Sequence, residues 1–319
     1  MADNNKNTIN GAPAAPEYSG EYSIERAIAM SKKKHIRMSP GNIIGLIFLI
    51  LFCLVFLYPI IWLADCSLRP KIEMFNIPPR FMEFTRGWPH FGSYTLQNFI
   101  NVFTAPHGIN LGISFMNSII VTVGTTVLSL LLCSLCAYAF AFLKFPYKDF
   151  LFYFILLSFM LPTVTMLSPY YKLMITLHLR NNLLGLILPG GVSAVGVFLM
   201  RQFYIKLPYS LVESAKIDGA GNLKIWWNII LPLSTPALAA LSIFQFRGVW
   251  NDFIIPIIML DNNNLYTIPI AVAALNANSI DRVPDLIMAT GFLFSLIPIL
   301  IFLIFQRYFI EGLSGGIKG

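Results

Sequence analysis

Residues 41–64 read GNIIGLIFLILFCLVFLYPIIWLA. This stretch carries no charged side chain and, as a helix at 1.5 Å per residue, would be about 36 Å long. That exceeds the roughly 30 Å hydrocarbon core of a bilayer. A soluble helix needs only one apolar face, whereas here every face is apolar. The segment is therefore read as a membrane span. Lys32, Lys33, Lys34, His35 and Arg37 lie immediately before it. Basic charge of that density beside a first span places the N-terminus in the cytoplasm.

Working outward, five more apolar blocks follow near 113–142, 150–171, 183–203, 234–260 and 286–308. The whole chain of 319 residues is 56% hydrophobic and only 12% charged, against about 25% charged in ordinary soluble domains. The expected fold class is all-α: a polytopic membrane protein of about six transmembrane helices. Six spans put both termini on one side. Of the 22 Lys and Arg, fourteen fall in the segments this topology makes cytoplasmic and seven in those it makes external, so both termini are expected in the cytoplasm. The chain then divides into a flexible cytoplasmic tail over 1–38, a transmembrane domain over 39–310 with a cytoplasmic loop at 205–232, and a cytoplasmic tail over 311–319. External loops are expected at 65–112 and 261–285.

The net charge of +7 does not indicate nucleic acid, because the basic residues sit at the ends of apolar blocks instead of clustering on one face. Cys133 and Cys136 form a C-x-x-C inside an apolar block, with no second pair or histidine to complete a metal or redox site, so no metal is expected. No cleavable signal peptide is read, since a long polar stretch precedes the first span. The chain has no G-x-x-x-x-G-K-[S/T] phosphate loop, no H-E-x-x-H and no G-x-S-x-G. No catalytic residues and no cofactor of its own are expected.

One segment departs from the membrane pattern. Residues 206–232 read KLPYSLVESAKIDGAGNLKIWWNIILP. Ser210 and Glu213 have capping-box spacing, which predicts a helix beginning after Ser210. Gly219 can end that helix with a positive φ. Asn222 can cap a second helix that runs to Leu231, before Pro232. Two short helices at a glycine corner result. Leu211, Val212, Ala215 and Ala220 are expected to form an apolar surface that needs a covering partner. An amphipathic linker at the membrane interface would share these features.

The identities and spacing of Glu213, Ala215, Gly219, Ile229, Leu231 and Pro232, with Asp218 and Ala220 beside the glycine, resemble the cytoplasmic loop of binding-protein-dependent ABC permeases. Ser214 replaces a second alanine of that pattern. Trp250-Asn251-Asp252-Phe253 with Pro256 looks like the fifth span of the carbohydrate-uptake branch. Gln306-Arg307-Tyr308-Phe309 and the glycine-rich end through Gly315, Gly316 and Gly319 resemble the tail of the maltose permease G-type subunit.

The resemblance implies a type I importer permease that forms half of a translocation pathway for a sugar, notably an oligosaccharide. Its implied partners are a second permease subunit (by family habit a different chain), two ATPase subunits that hold ATP and Mg, and an extracytoplasmic sugar-binding protein. Membrane lipid is the solvent. Ser210, Glu213, Ala215, Asp218, Gly219, Ala220, Leu231 and Pro232 would make the ATPase-coupling element. Asn276, Asn278 and Asp281 would touch the binding protein. Gly315 and Gly316 would let the tail enter the crevice between ATPase subunits.

Polar groups inside spans face a cavity or another helix. Arg247 shares a helical face with Trp250 and Asn251, and Asp252 lies near enough to pair with it. A ring beside amides and a cation could bind a sugar, and Arg247 could equally make a structural contact. Pro189-Gly190-Gly191 interrupts the fourth span and suggests either a hinge lining the pathway or tight helix packing. Importers of other solute classes, amino acids, peptides or phosphonates, share the loop motif. An ATP-independent secondary transporter is a further alternative, but the scarcity of mid-span carboxylates argues against proton coupling.

Overall fold

The computed structural model describes residues 40–74, 94–104, 108–278 and 283–314. The described residues are helical, turn or irregular, with no β-strand among them. The chain divides into two compact units, Met1–Leu57 and Tyr58–Gly319.

The first unit contributes the opening part of the Pro40–Ser67 helix. Phe48, Phe52 and Phe56 recur every fourth residue there and lie along one face, Phe48 stacked on Phe52 with centroids 6.2 Å apart and Phe52 tilted against Phe56 at 4.6 Å, as i,i+4 spacing allows.

The second unit is built on the 32-residue Leu111–Phe142 helix. Asn110 caps it by accepting from the Ile113 amide at 3.1 Å. Against it pack Ala194–Tyr204 and Thr235–Trp250, and Pro284–Ser314 packs in turn on Thr235–Trp250. Close approach is allowed by small residues. A Cβ on Gly196 would lie 2.8 Å from Cys133 Sγ, and one on Gly191 2.6 Å from Leu128. Small-residue contacts of this kind are how helices associate where no hydrophobic effect drives them. Large apolar side chains such as Val123, Val127, Phe154 and Phe302 remain exposed. That distribution suits lipid and not water.

Several spans are less regular than their apolar content implies. The 150–171 block is two helices, Lys148–Ser158 and Thr163–Thr176, bent by 103° at the break before Thr163. Pro162 at the break cannot donate a backbone hydrogen bond. The 183–203 block is Leu184–Ile187, a 3₁₀ turn at Pro189–Gly191, then Ala194–Tyr204. The 234–260 block stops at Trp250 and resumes as Ile254–Met259. Among the described residues four helices are long and apolar enough to cross a membrane, and up to six crossings result if each bent pair is one span. The 261–285 region is not simply a loop, because it contains the Ile268–Asn278 helix. The final helix extends to Ser314. The 1–38 tail lies outside the described residues.

Candidate functional site: a protruding helix pair and a polar cavity

The segment between Tyr204 and Thr235 forms the expected bent helix pair, with different details. The first helix is Ser210–Ile217. The Ser210–Glu213 capping box does not form. The Glu213 amide donates to the Tyr209 carbonyl at 3.1 Å, and the Leu211 amide to Pro208 at 3.2 Å. The first turn thus opens at Pro208 and the helix proper at Ser210, one residue earlier than predicted. Pro208 is suited to that position, since it has no amide to leave unpaired.

At the far end Gly219 adopts φ +78°. The Ala220 amide donates to Ala215 O at 2.9 Å and the Gly219 amide to Lys216 O at 3.0 Å. That pair of bonds is a Schellman closure. The second helix starts at Asn222, with Gly221 in the capping position and no side-chain cap, so Asn222 is inside the helix instead of ahead of it. Nor does the helix stop before Pro232. It passes through a π-helical turn, Trp226–Ile230, and ends as Leu231–Leu233. The wider turn makes room for a proline ring that would collide with a carbonyl of a regular α-helix. The chain then bends by 82° into Thr235–Trp250.

The apolar surface also differs from expectation. Val212 is fully buried (0% exposed), and Ala215 is buried with it against Tyr204, Ile225, Trp226 and Ile230. Ala220 and Leu231 pack at the edge of this cluster. These residues anchor the pair to its own chain. The outward face is Ile217 (86% exposed), Leu223 (68%), Leu211 and Trp227. Ser210, Glu213, Asp218, Gly219 and Pro232 are exposed beside them. Sequence periodicity did not separate the two faces, because the choice depends on where the spans lie.

Trp250 does not offer its ring to a ligand. It is 1% exposed and stacked with Phe246 (5.5 Å between centroids) and Phe294 (4.8 Å). Its Nε1–H donates to Phe294 O at 3.2 Å. Arg247 and Asn251 are exposed, and Asn251 Nδ2 donates to Arg247 O at 2.9 Å. Asp252 does not pair with Arg247. Its Oδ1 accepts the Ile254 amide at 3.1 Å and the Ile255 amide at 3.4 Å, which starts the Ile254–Met259 helix.

Pro189 and Gly190 combine both sequence readings. A Cβ on Gly190 would lie 2.5 Å from Thr125 Cγ2, and Gly190 O accepts from Gln245 Nε2 at 3.1 Å. The turn is thus tightly packed. It also forms one wall of a cavity of about 210 Å³, together with Thr125, Tyr170, Asp252, Thr267 and the edge of Trp250.

Sequence reasoning missed the polar clamps that hold the 261–268 segment. Asn117 Nδ2 donates to Asn264 O (2.8 Å) and Tyr266 O (3.1 Å). Ser118 Oγ accepts the Ile268 amide at 2.9 Å. Asn181 Oδ1 accepts the Asp261 and Asn262 amides, both at 3.1 Å. Polar residues at 117 and 118, among the hydroxyl and amide side chains that run from 114 to 134 on this helix, were the available signal. Asn276 is exposed near the end of its helix. Asn278 closes that helix, and its side chain, like Asp281, Gly315 and Gly316, lies outside the described residues. Among the described residues no cluster of His, Cys, Asp and Glu could hold a metal ion.

Continuous and broken spans, a protruding helix pair and a largely apolar cavity with hydroxyl and carboxylate groups in its wall define a multi-pass helical permease. The fold is that of type I ABC importer permeases. It superposes on a chain from the "Crystal structure of a bacterial ABC transporter involved in the import of the acidic polysaccharide alginate" with a TM-score of 0.72 at 20% identity, covering 85% of this chain and 99% of that one. Residues 129–315 match the family described as "Binding-protein-dependent transport system inner membrane component". The Arabinooligosaccharides transport system permease protein AraQ of Halalkalibacterium halodurans is 36% identical over 272 residues, 82% of this chain and 91% of that protein. The AraQ protein of Bacillus subtilis is 34% identical over 86% of this chain and 94% of its own length. The sn-glycerol-3-phosphate transport system permease protein UgpE of Yersinia enterocolitica is 30% identical over 84% and 94%. The chain belongs to the binding-protein-dependent transport system inner membrane component family, and is a transport subunit of the membrane.

Proposed function

We propose that this chain forms half of the translocation pathway of an ATP-driven importer for a saccharide, and specifically for an oligosaccharide. The relatives named for arabinooligosaccharide transport support that solute class. The relative named for sn-glycerol-3-phosphate supports a small phosphorylated polyol as the second reading.

The observation that carries the proposal is the exposed face of the helix pair. Ile217 and Leu223 stand in solvent on a knob whose opposite face is anchored by Val212 and Ala215. Apolar side chains so displayed call for a docking partner. That partner is an ATPase subunit, with Glu213 and Asp218 as charged contacts at the rim. Two ATPase subunits carry the ATP and Mg, a different permease chain completes the pore, and an extracytoplasmic binding protein delivers the sugar. Both termini and the knob face the cytoplasm, as the excess of Lys and Arg on that side favours. Closure of the ATPase dimer pushes the knob. Its rigid anchorage passes the motion to the spans, so the pathway alternates between two openings. Gly315 and Gly316 enter the crevice between the ATPase subunits, and Asn276, Asn278 and Asp281 meet the binding protein. Arg247 and Asn251, together with Pro189 and Gly190, border the pathway.

Membranes that contain this chain with its ATPase and permease partners should take up labelled arabinooligosaccharide in an ATP-dependent way. Ile217→Cys should react with an impermeant thiol reagent only from the cytoplasmic face. Labelling from the outside would overturn the proposal.

A further inference from the structure

The 210 Å³ cavity lies within this one chain. Its hydroxyl-bearing wall comes from Ser118, Thr122 and Thr125 on one face of the Leu111–Phe142 helix. Ser118 and Thr125 are about 10 Å apart along the axis at 1.5 Å per residue. Thr267, in the segment that precedes the Ile268–Asn278 helix, closes another side.

Two of these hydroxyls stand out. Thr125 is 1% exposed and Thr267 4% exposed, and neither Oγ1 has a hydrogen-bond partner. A buried hydroxyl without a partner is destabilising, so two at one cavity call for an occupant that bonds to them. Asp252 also borders the space, and among the described residues no Lys, Arg or His lines it. Bringing a second negative charge out of water beside that carboxylate would be unfavourable. The remaining wall is apolar, with Val121, Leu186 and Ile255 among its side chains. Hydroxyl groups, a lone carboxylate and aliphatic surface together suit a neutral ring that has hydroxyls on its rim and C–H groups on its faces. The volume fits: a cavity of about 150 Å³ suffices for one benzene ring.

The geometry points to a site in this subunit for one neutral sugar ring, in which Thr125 and Thr267 bond the sugar hydroxyls and Asp252 accepts from them while excluding acidic sugars. This rests on the saccharide reading above and adds where the ring sits and which charge it carries. The external segment that forms the roof is also tied to this wall through Ser118 Oγ and the Ile268 amide, so the site lies directly beneath it.

The test uses the full chain assembled with its partners in membranes, with C53S and C136S to remove accessible thiols. Thr125→Cys and Thr267→Cys are treated with methanethiosulfonate ethylammonium, with L-arabinose, D-glucose, D-galactose or D-glucuronate present in turn. Both cysteines should react, and at least one neutral sugar should slow both reactions about threefold or more while glucuronate does not. No reaction at either cysteine, equal rates with every sugar, or equal protection by glucuronate would each overturn the proposal. The second measurement is uptake. Thr125→Val and Thr267→Val should each raise KM roughly 3–10-fold, the loss expected for one hydrogen bond, and Thr→Ser should restore it. Uptake with unchanged KM in both Val variants overturns the site and leaves the importer reading intact. Absence of ATP-dependent saccharide uptake by the unsubstituted chain overturns the importer reading instead.

Discussion

The Trp250 indole lies 4.8 Å from the Phe294 ring, at 14° to it, and donates its N–H to the Phe294 carbonyl. One side chain thereby joins the Thr235–Trp250 helix to the Pro284–Ser314 helix by both a stacked face and a hydrogen bond. Trp250→Ala should destabilise the chain by about 3–5 kcal/mol, the usual cost of removing a buried aromatic. Trp250→Phe keeps a ring and loses one hydrogen bond, so about 1 kcal/mol is expected. Thermal unfolding in detergent, followed by size-exclusion chromatography, distinguishes the two. A Trp250→Ala variant of undiminished stability with altered sugar preference would contradict the packing role.

Gly219 has φ +78° with nothing within 4 Å of a Cβ placed there. Substitution at this position therefore meets backbone strain and no clash. Left-handed backbone costs a side-chain-bearing residue about 1–2 kcal/mol, and more for a β-branched one. Gly219→Val should leave membrane insertion intact and lower ATP-dependent uptake about tenfold or more. Gly219→Asn, which tolerates this conformation, should stay close to the parent in the same uptake assay.

Ile217 and Leu223 are exposed in the isolated chain, so changing them should cost little stability, within about 0.5 kcal/mol. The pair Ile217→Asp and Leu223→Asp should nonetheless abolish copurification with the ATPase subunits, because central apolar anchors are worth about 2 kcal/mol or more each. Val212→Asp provides the contrast. It buries a charge in the core behind the knob and should unfold the helix pair. Retention of the ATPase by the double variant would refute the assigned docking face.

At the C-terminal end of the first span, Arg69 Nε donates to Asp65 Oδ2 at 2.7 Å and its Nη2 to Oδ1 at 2.9 Å. Tyr94 O–H donates to the same carboxylate at 2.6 Å, and Asn98 Nδ2 donates to the Ser67 and Arg69 carbonyls. Breaking the Asp65–Arg69 pair from one side should cost about 3–5 kcal/mol, since both side chains are buried. Asp65→Ala should therefore be worse than Asp65→Ala with Arg69→Leu, measured as midpoints of thermal unfolding.

The same cluster predicts a pH effect. Burial, and then the bond to Asp65, push the Tyr94 phenol above its ordinary value of 10.0. A folded pKa raised above the unfolded one gives stability that is fully present below pH 10 and is lost as pH climbs through the raised value. Tyr94→Phe should remove that alkaline loss, and unfolding midpoints taken from neutral to strongly alkaline pH would show it.

Much of the protein was legible in its sequence because lipid imposes a uniform rule. Backbone groups must be satisfied within each segment, so long uncharged blocks such as 41–64 can only be spanning helices. The positive φ at Gly219 was equally readable, because a glycine between a helix and a second helix start has few other uses. Tertiary structure alone decided which polar side chains meet. The Ser210–Glu213 cap was forestalled by a helix that begins near Pro208. Asp252 took helix amides instead of Arg247, Trp250 turned into the core, and Thr125 came to face Thr267 across a cavity from 142 residues away in sequence. Local spacing is set by short-range backbone geometry and is therefore written in the sequence. Contacts between spans depend on how close neighbouring helices approach, and bends such as those at Pro162 and Ser234 set that distance only once the whole bundle has packed.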